Sequence, residues 1–302
     1  MTRPCTLLGL ALAALAAGLP ALAQDGFEEV VVEATPVRAG IHMLTGRGGN
    51  MAVLVGEDGA FLIDDQFAPL SAKILRTIGR LTDRPVRFVL NTHWHSDHTG
   101  GNEDLGKAGA VLVAHENVRR RLSTEQFMAA FGRKVPPSPP GALPQVTFAD
   151  GVTFHWNGQT VRVTHVADAH TDGDAVITFA EANVIHTGDI FFNGSYPFID
   201  GSAGGSFDGV LAAARGILAR CDEETRLIPG HGPLAGKAEL EAYVTMLEAV
   251  RERLLARIAA GETAEQVVAA KPTADLDPTW GGGFLAPDVW VRIVYDLLKD
   301  AQ

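Results

Sequence analysis

Cysteine is scarce in this chain of 302 residues, which carries Cys5 and Cys221 and no other. Cys5 falls in a segment read below as a removable leader, so Cys221 is left without an intramolecular partner and no internal disulfide is expected. A protein exported without bridges must hold itself together by packing and by metal. Basic residues are also in deficit, 25 Lys and Arg against 36 Asp and Glu, for a formal net charge of −11 that becomes one unit more negative when Arg3 leaves with the leader. Such a surface repels phosphate backbones and excludes nucleic acid as the expected partner. Long apolar runs are missing beyond the start of the chain. Leu7 to Leu19 is shorter than a bilayer requires, and no basic stop follows it. Arg3 before it and Ala21-Leu22-Ala23 after it, ahead of Gln24, read as a secretory signal peptide over residues 1–23. Cys5 precedes the apolar run instead of ending it, which argues against lipid attachment there. The expectation is a periplasmic or secreted protein with no membrane insertion after cleavage. With 46% hydrophobic residues, the remainder can bury one large core or two modest ones.

What the chain does have is histidine, ten in all, three of them within six positions. In Asn91-Thr92-His93-Trp94-His95-Ser96-Asp97-His98-Thr99-Gly100-Gly101, three imidazoles crowd a carboxylate, an arrangement awkward to hold without a cation. Val86, Phe88, Val89 and Leu90 form the near-continuous apolar run of a strand buried on both faces, so His93 and His95 are expected where that strand leaves its sheet. Residues two apart in extended chain point the same way, which lets both rings reach one ion.

His93, His95, Asp97 and His98 resemble the HxHxDH signature of the metallo-β-lactamase superfamily, a highly specific motif. The resemblance implies an α/β fold, the αββα sandwich, and further site positions. Asp64, ending the strand Phe61-Leu62-Ile63, matches an acid that orients a metal ligand from behind. His170 lies in His-Thr-x-Gly-Asp, the family's third-ligand pattern, and is preferred over His165 on the preceding strand. Asp189, ending Val184-Ile185-His186-Thr187-Gly188-Asp189, matches an acid that bridges two metals. His231, flanked by Gly230 and Gly232, matches the last ligand. The implied assignment puts His93, His95 and His170 on one ion and Asp97, His98 and His231 on the other, with Asp189 between. Two zinc ions are expected, although imidazole and carboxylate donors also accept iron or manganese. Asp97 is the expected catalytic residue, orienting a metal-activated water and passing a proton to the leaving group.

The pattern of elements predicts a domain over residues 24–233, with residues 234–302 as a helical extension packed on it. Strands are expected at Val30 to Val32, Ile41 to Leu44, Met51 to Val55 and Phe61 to Ile63, with a hairpin turn at Gly56-Glu57-Asp58-Gly59. Helices are expected over Ala68 to Arg84 and most of His115 to Phe131, where Arg119, Arg120 and Arg121 read as a solvated face. The proline run Val135 to Gly141 reads as the connection between two halves. Val152 to Trp156 and Thr160 to Val166 follow as a hairpin turning at Asn157-Gly158. Ser206 to Arg220 reads as a helix capped by Ser206, and a stripe from Leu240 to Ile258 as a long one ending near Gly261. Thr263 and Gln266 form a capping box. His42, His115, His155 and His186 read as structural or surface residues.

For the substrate, a small molecule, the residues say less. β-Lactamases with this histidine pattern commonly have cysteine or serine where Asp189 stands, so the resemblance points also to thioesterase and lactonase members. Phe191, Phe192, Asn193, Tyr196 and Trp94 are expected to line the mouth, favouring an apolar or cyclic substrate, with Tyr196 or Asn193 as oxyanion donor. Plain packing of a long loop, with freedom to move at Gly201 to Ser206, is the alternative for the same residues. Arg47 in the mobile loop Gly46 to Asn50 is a candidate for an anionic group, or a solvated cation. Four readings follow: a zinc hydrolase of cyclic amides or esters, a glyoxalase-type thioesterase, an iron-dependent sulfur oxidoreductase like the persulfide dioxygenases, and a noncatalytic exported binding protein. The tail from Leu234 onward shows no basic patch for an acidic thioester.

Overall fold

The computed structural model describes residues 26–301, so the expected signal peptide lies outside the described residues. The first sheet is built from β1 (Glu33–Arg38), β2 (Ile41–Thr45), β3 (Met51–Leu54), β4 (Ala60–Ile63), β5 (Val86–Leu90) and β6 (Val111–His115). A hairpin of β7 (Gln126–Met128) and β8 (Arg133–Val135) pairs only with itself among the described residues, and β9 (Val146–Phe148) closes the first sheet beside β6. The second sheet runs in the order β10 (Gly151–Trp156), β11 (Gln159–Val166), β12 (Asp174–Phe179), β13 (Val184–His186) and β14 (Arg226–Ile228). Each sheet changes from antiparallel to parallel pairing, at β4/β5 and at β13/β14. β5, β13 and β14, whose exits carry His93 to His98, Asp189 and His231, are strands of these parallel regions.

The period of two in a strand explains the layers. Along β3 and β4, Ala52, Leu54, Phe61 and Ile63 face Val163, Ile177 and Phe179 of the other sheet, forming the core between sheets. Their neighbours Met51, Val53, Ala60 and Leu62 face outward onto Leu70, Ile74 and Ile78. Both sides are covered, which is why these strands are apolar at every position. The second sheet's outer face, with Val176, Ile185 and Leu227, packs on the helices Phe207–Leu218, Lys237–Ala259 and Pro287–Asp300 in one continuous cluster. The architecture is therefore helix, sheet, sheet, helix.

Several expected boundaries move, each for a local reason. Val30 to Val32 is not a strand, because Lys73 Nζ gathers the carbonyls of Phe27, Glu28 and Val30; the edge strand is β1. The helix expected over Ala68 to Arg84 is a 3-10 turn, Ala68–Leu70, followed by Ser71–Ile78, and it stops at Gly79. The helix after His115 spans only Glu116–Leu122, since Ser123 and Thr124 hydroxyls donate back to the Arg120 carbonyl (2.8 and 3.0 Å), and β7 follows. Its arginines form a solvated face only in part, since Arg119 and Arg120 are exposed while Arg121 is largely covered. Arg121 makes a two-pronged pair with Asp172 (2.7 and 2.8 Å), and Arg119 donates to the Pro144 carbonyl. The proline run does not divide the halves, because β9 beyond it still belongs to the first sheet. The Asn157-Gly158 turn forms with both residues at positive φ, +48° and +74°. The caps at Ser206 and Thr263 form as well.

Trp290 is the largest fully buried side chain. Its ring stacks on Tyr196 (centroids 4.0 Å apart), and its Nε1 donates to the Pro197 carbonyl at 2.6 Å. Tyr196 Oη in turn donates to Asp277 at 2.9 Å. The C-terminal helices thus grip the chain segment that follows Asp189. Replacing Trp290 by alanine is expected to cost about 3–5 kcal/mol of stability, read as a lower denaturant midpoint at unchanged slope.

Candidate metal centre

Each imidazole of the first cluster has its outer nitrogen engaged. Thr92 Oγ1 spends its proton on Asp64 (2.8 Å) and is left to accept from His93 Nδ1 (3.0 Å). His95 Nε2 donates to Asp200 Oδ2 at 3.0 Å, and His170 Nδ1 donates to the Phe198 carbonyl at 2.8 Å. The protons are therefore outside, and the bare lone pair of His95 Nδ1 lies 3.1 Å from that of His93 Nε2 and 2.9 Å from that of His170 Nε2. Three acceptors at that separation repel unless a cation stands among them. Asp189 Oδ2 lies 3.8 Å from His93 and 3.6 Å from His170, on the same side.

A second cluster repeats the logic. His98 Nδ1 donates to Asp64 Oδ2 at 2.8 Å, so its Nε2 is bare. That nitrogen lies 3.1 Å from Asp189 Oδ1, both atoms fully buried, yet neither is in hydrogen-bonding alignment with any partner. Two ligands aimed at a common ion stand in this way. His231 Nε2 is 3.4 Å from both Asp97 Oδ2 and Asp189 Oδ2. His93, His95, His170 and Asp189 form one group of donor atoms, and Asp97, His98 and His231 another, each within 4.8 Å. The residues present fit two cations with Asp189 between them.

The protonation balance agrees. Burial pushes His93 well below the ordinary imidazole value and His170 down to about 4, so both are neutral donors. Burial opposes ionisation of Asp97 and Asp189, but His98 and His231 together, with His93 beside Asp189, outweigh it, holding Asp97 at about 2 and Asp189 well below the usual range. His98 and His231 are raised against their burial by these carboxylates, His231 to about 9. The upward pull on these two imidazoles is that of a site rich in negative charge, which divalent cations at the same nitrogens would answer in place of protons.

Local structure delivers each group. Asp64 sits at φ +59°, an unusual conformation for a residue with a side chain, held by the backbone bond from its N–H to the Leu90 carbonyl and by its contacts to Thr92 and His98. The His170 loop is clamped by Asp174, which accepts from the N–H groups of His170 and Thr171 (2.6 and 2.9 Å) and from the Thr171 hydroxyl. Burial raises Asp174 to about 8 against those donors. The glycine-rich loop before β3 is tied down by Asn50, whose side chain donates to Pro229 and Gly232, and a Cβ on Gly49 would run into the His98 ring.

All seven expected ligands and Asp64 come together. His165 does not join them, stacking flat on His115 at 3.7 Å instead. Trp94 and Phe192 line the cavity above the clusters, as does Arg47, whose guanidinium also lies over the Phe27 ring. Tyr196 and Asn193 do not serve the mouth or an oxyanion. Tyr196 is buried against Trp290, and Asn193 donates outward to the Pro233 carbonyl. Phe191 packs in the core on Tyr243. Gly201 to Ser206 is an ordered 3-10 turn, Gly201–Ala203, capped by Asp200. Asp200, Thr92 and the Phe198 carbonyl are the residues that sequence reasoning missed. Its one signal was general, that a metal-binding imidazole needs an acceptor behind it, which does not say where in the chain that acceptor lies.

Against known proteins, the chain is 30% identical to hydroxyacylglutathione hydrolase of Rhodospirillum rubrum over 125 residues, 41% of each chain. It is 27% identical to a lactamase-like protein of Emericella nidulans, over 53% of this chain and 48% of that one, so it spans under half the length of these curated relatives. A hydroxyacylglutathione hydrolase of Gloeobacter violaceus is matched over 75% of this chain and 85% of its own, at 27% identity. Among solved structures, a metallo-β-lactamase from Pontibacter korlensis superposes with a TM-score of 0.58 at 22% identity, covering 72% of this chain and 99% of the other. One from Cronobacter sakazakii gives 0.60 at 20%, covering 75% and 95%. These last likenesses establish the fold. The model of the metallo-β-lactamase superfamily matches residues 44–231, from the second strand to the last expected ligand, and the chain belongs to that superfamily.

Proposed function

We propose that this protein is an exported dinuclear zinc hydrolase that opens a cyclic amide or ester. The observation carrying the reading is the position of Asp189, whose Oδ1 faces His98 while Oδ2 faces His93, His170 and His231, so that one carboxylate serves both donor sets. Divalent zinc held there would polarise a carbonyl oxygen and lower the pKa of water. The chain's own part is to hold charge and move a proton. Asp97 is ionised and its side chain is 26% exposed against 5% for Asp189, so it is the more accessible of the two acids in the cavity floor. From there its carboxylate orients water, accepts a proton and returns it to the departing nitrogen or oxygen. His93, His95 and His170, locked from behind, keep the carbonyl side rigid.

A thioesterase is the second reading, supported by the likeness to hydroxyacylglutathione hydrolases. Against an acidic glutathione conjugate stands the pairing of the tail's arginines. Arg251, Arg253, Arg257 and Arg292 each meet a carboxylate, at 2.6–2.9 Å.

Protein purified without added metal is expected to contain about two zinc atoms per chain by elemental analysis; a single iron with oxygen consumption on persulfides would replace the proposal by sulfur oxidation. Zinc-loaded protein offered nitrocefin, lactones, thioesters and phosphodiesters should turn over the ring substrates best, and a clear preference for linear thioesters would favour the second reading. Asp97→Asn and Asp189→Asn should each lower kcat by about a hundredfold or more; wild-type turnover with both metals retained would remove their assigned roles. Asp200→Asn should weaken metal binding by about 10–100-fold, measured by competition with a chelator, with the fold intact.

A further inference from the structure

Above the donor clusters lies a cavity of about 550 Å³ with His95, Asp97, Asp189 and His231 in its floor. One side of it is made by three phenylalanines from distant parts of the chain. Phe131 comes from the turn between β7 and β8, Phe198 from the segment after Asp189, and Phe284 from the loop before the last helix. Their ring centroids are 5.0 Å (Phe131 to Phe198), 6.4 Å (Phe131 to Phe284) and 6.3 Å (Phe198 to Phe284) apart, within or near the spacing of interacting aromatic rings. Phe198 is buried and its ring lies 5.8 Å from that of His95 and 5.9 Å from that of His170, so the apolar wall is continuous with the metal centre. Phe131 and Phe284, in contrast, are 45% and 65% exposed.

Single exposed phenylalanines need no explanation, but two that converge on a cavity over a hydrolytic centre, with a third joining them to the ligands, form a built apolar surface. The hairpin carrying Phe131 is held by polar contacts, Arg121 to Gln126 at 2.9 Å and the Ala129 N–H to Ser202 at 3.3 Å, leaving the Phe131 ring free to meet a ligand. We infer that Phe131, Phe198 and Phe284 form a clamp that takes a bulky apolar group, an aryl ring or a medium-length alkyl chain, carried by the substrate next to its scissile bond. The inference rests on the hydrolase reading for what lies at the floor of the cavity. It adds that specificity comes from the non-reacting part of the substrate, and that the C-terminal extension and the β7–β8 hairpin supply it together.

The test separates binding from turnover. Straight-chain alkanoates from acetate to octanoate, which need not be hydrolysed, are titrated into the zinc-loaded protein by calorimetry. Affinity should rise with chain length, up to about fourfold per buried methylene. In the Phe131→Ala/Phe284→Ala double variant this slope should largely vanish while acetate affinity stays the same, and Phe131→Leu should restore much of it. Both positions are solvent-exposed, and an unchanged melting temperature of the double variant would show that the fold is intact. Alkyl-substituted lactones and linear acyl thioesters of matched length should show the same dependence in KM with kcat little changed. Affinity independent of chain length in the parent protein, or a slope untouched in the double variant, overturns the clamp. Chain-length-dependent binding without turnover of either series upholds it and counts against the hydrolase reading instead.

Discussion

The structure depends on a repulsion. Four imidazoles, His93, His95, His98 and His170, point their N–H groups outward at fixed acceptors, and each is left with a bare lone pair aimed inward. Acceptors from both sheets create this state. Asp64 at the end of β4 serves Thr92 and His98 from the first sheet, while Phe198 and Asp200 serve His170 and His95 from the connection between β13 and β14 of the second. Neither half of the sandwich could orient the donors alone. Cation binding and assembly of the two halves are therefore coupled, as they are wherever ligands are brought together by folding.

Supports outside the clusters carry the same constraint outward. Arg121 grips Asp172 inside the His170 loop, which ties the helix Glu116–Leu122 to a ligand. Trp290 grips Tyr196 and Pro197, four and three residues before Asp200, which ties the last helix to the acceptor behind His95. The C-terminal helices belong to the hydrophobic cluster that covers the second sheet, so their packing and the geometry of the ligands share one set of contacts.

The convergence of these donor groups was legible in the sequence because their spacing is local and chemically specific: His93 to His98 in six positions, His170 before Gly173-Asp174, His231 between two glycines. The layers were legible because strands such as β3 and β4 are apolar at successive positions. What escaped was set by contacts between distant residues. Tyr196 reads in isolation as a polar aromatic near a ligand, and only the presence of Trp290 and Asp277 makes it a buried prop. Arg121 reads as one of three surface cations until Asp172, 51 positions later, is seen beneath it. The stop at Leu122 depends on hydroxyls folding back onto Arg120, and the loss of a strand at Val30 on one ammonium collecting three carbonyls. Periodicity carries no record of such partners.

The β7–β8 hairpin forms its own small sheet and shares no ladder with either large one. Residues can be inserted or removed at its turn without shifting the register of any strand that delivers a ligand. The hairpin still touches the supports of the centre through side chains, Gln126 on Arg121 and the Ala129 N–H on Ser202, so the wall of the cavity can vary at the turn while strand register stays fixed.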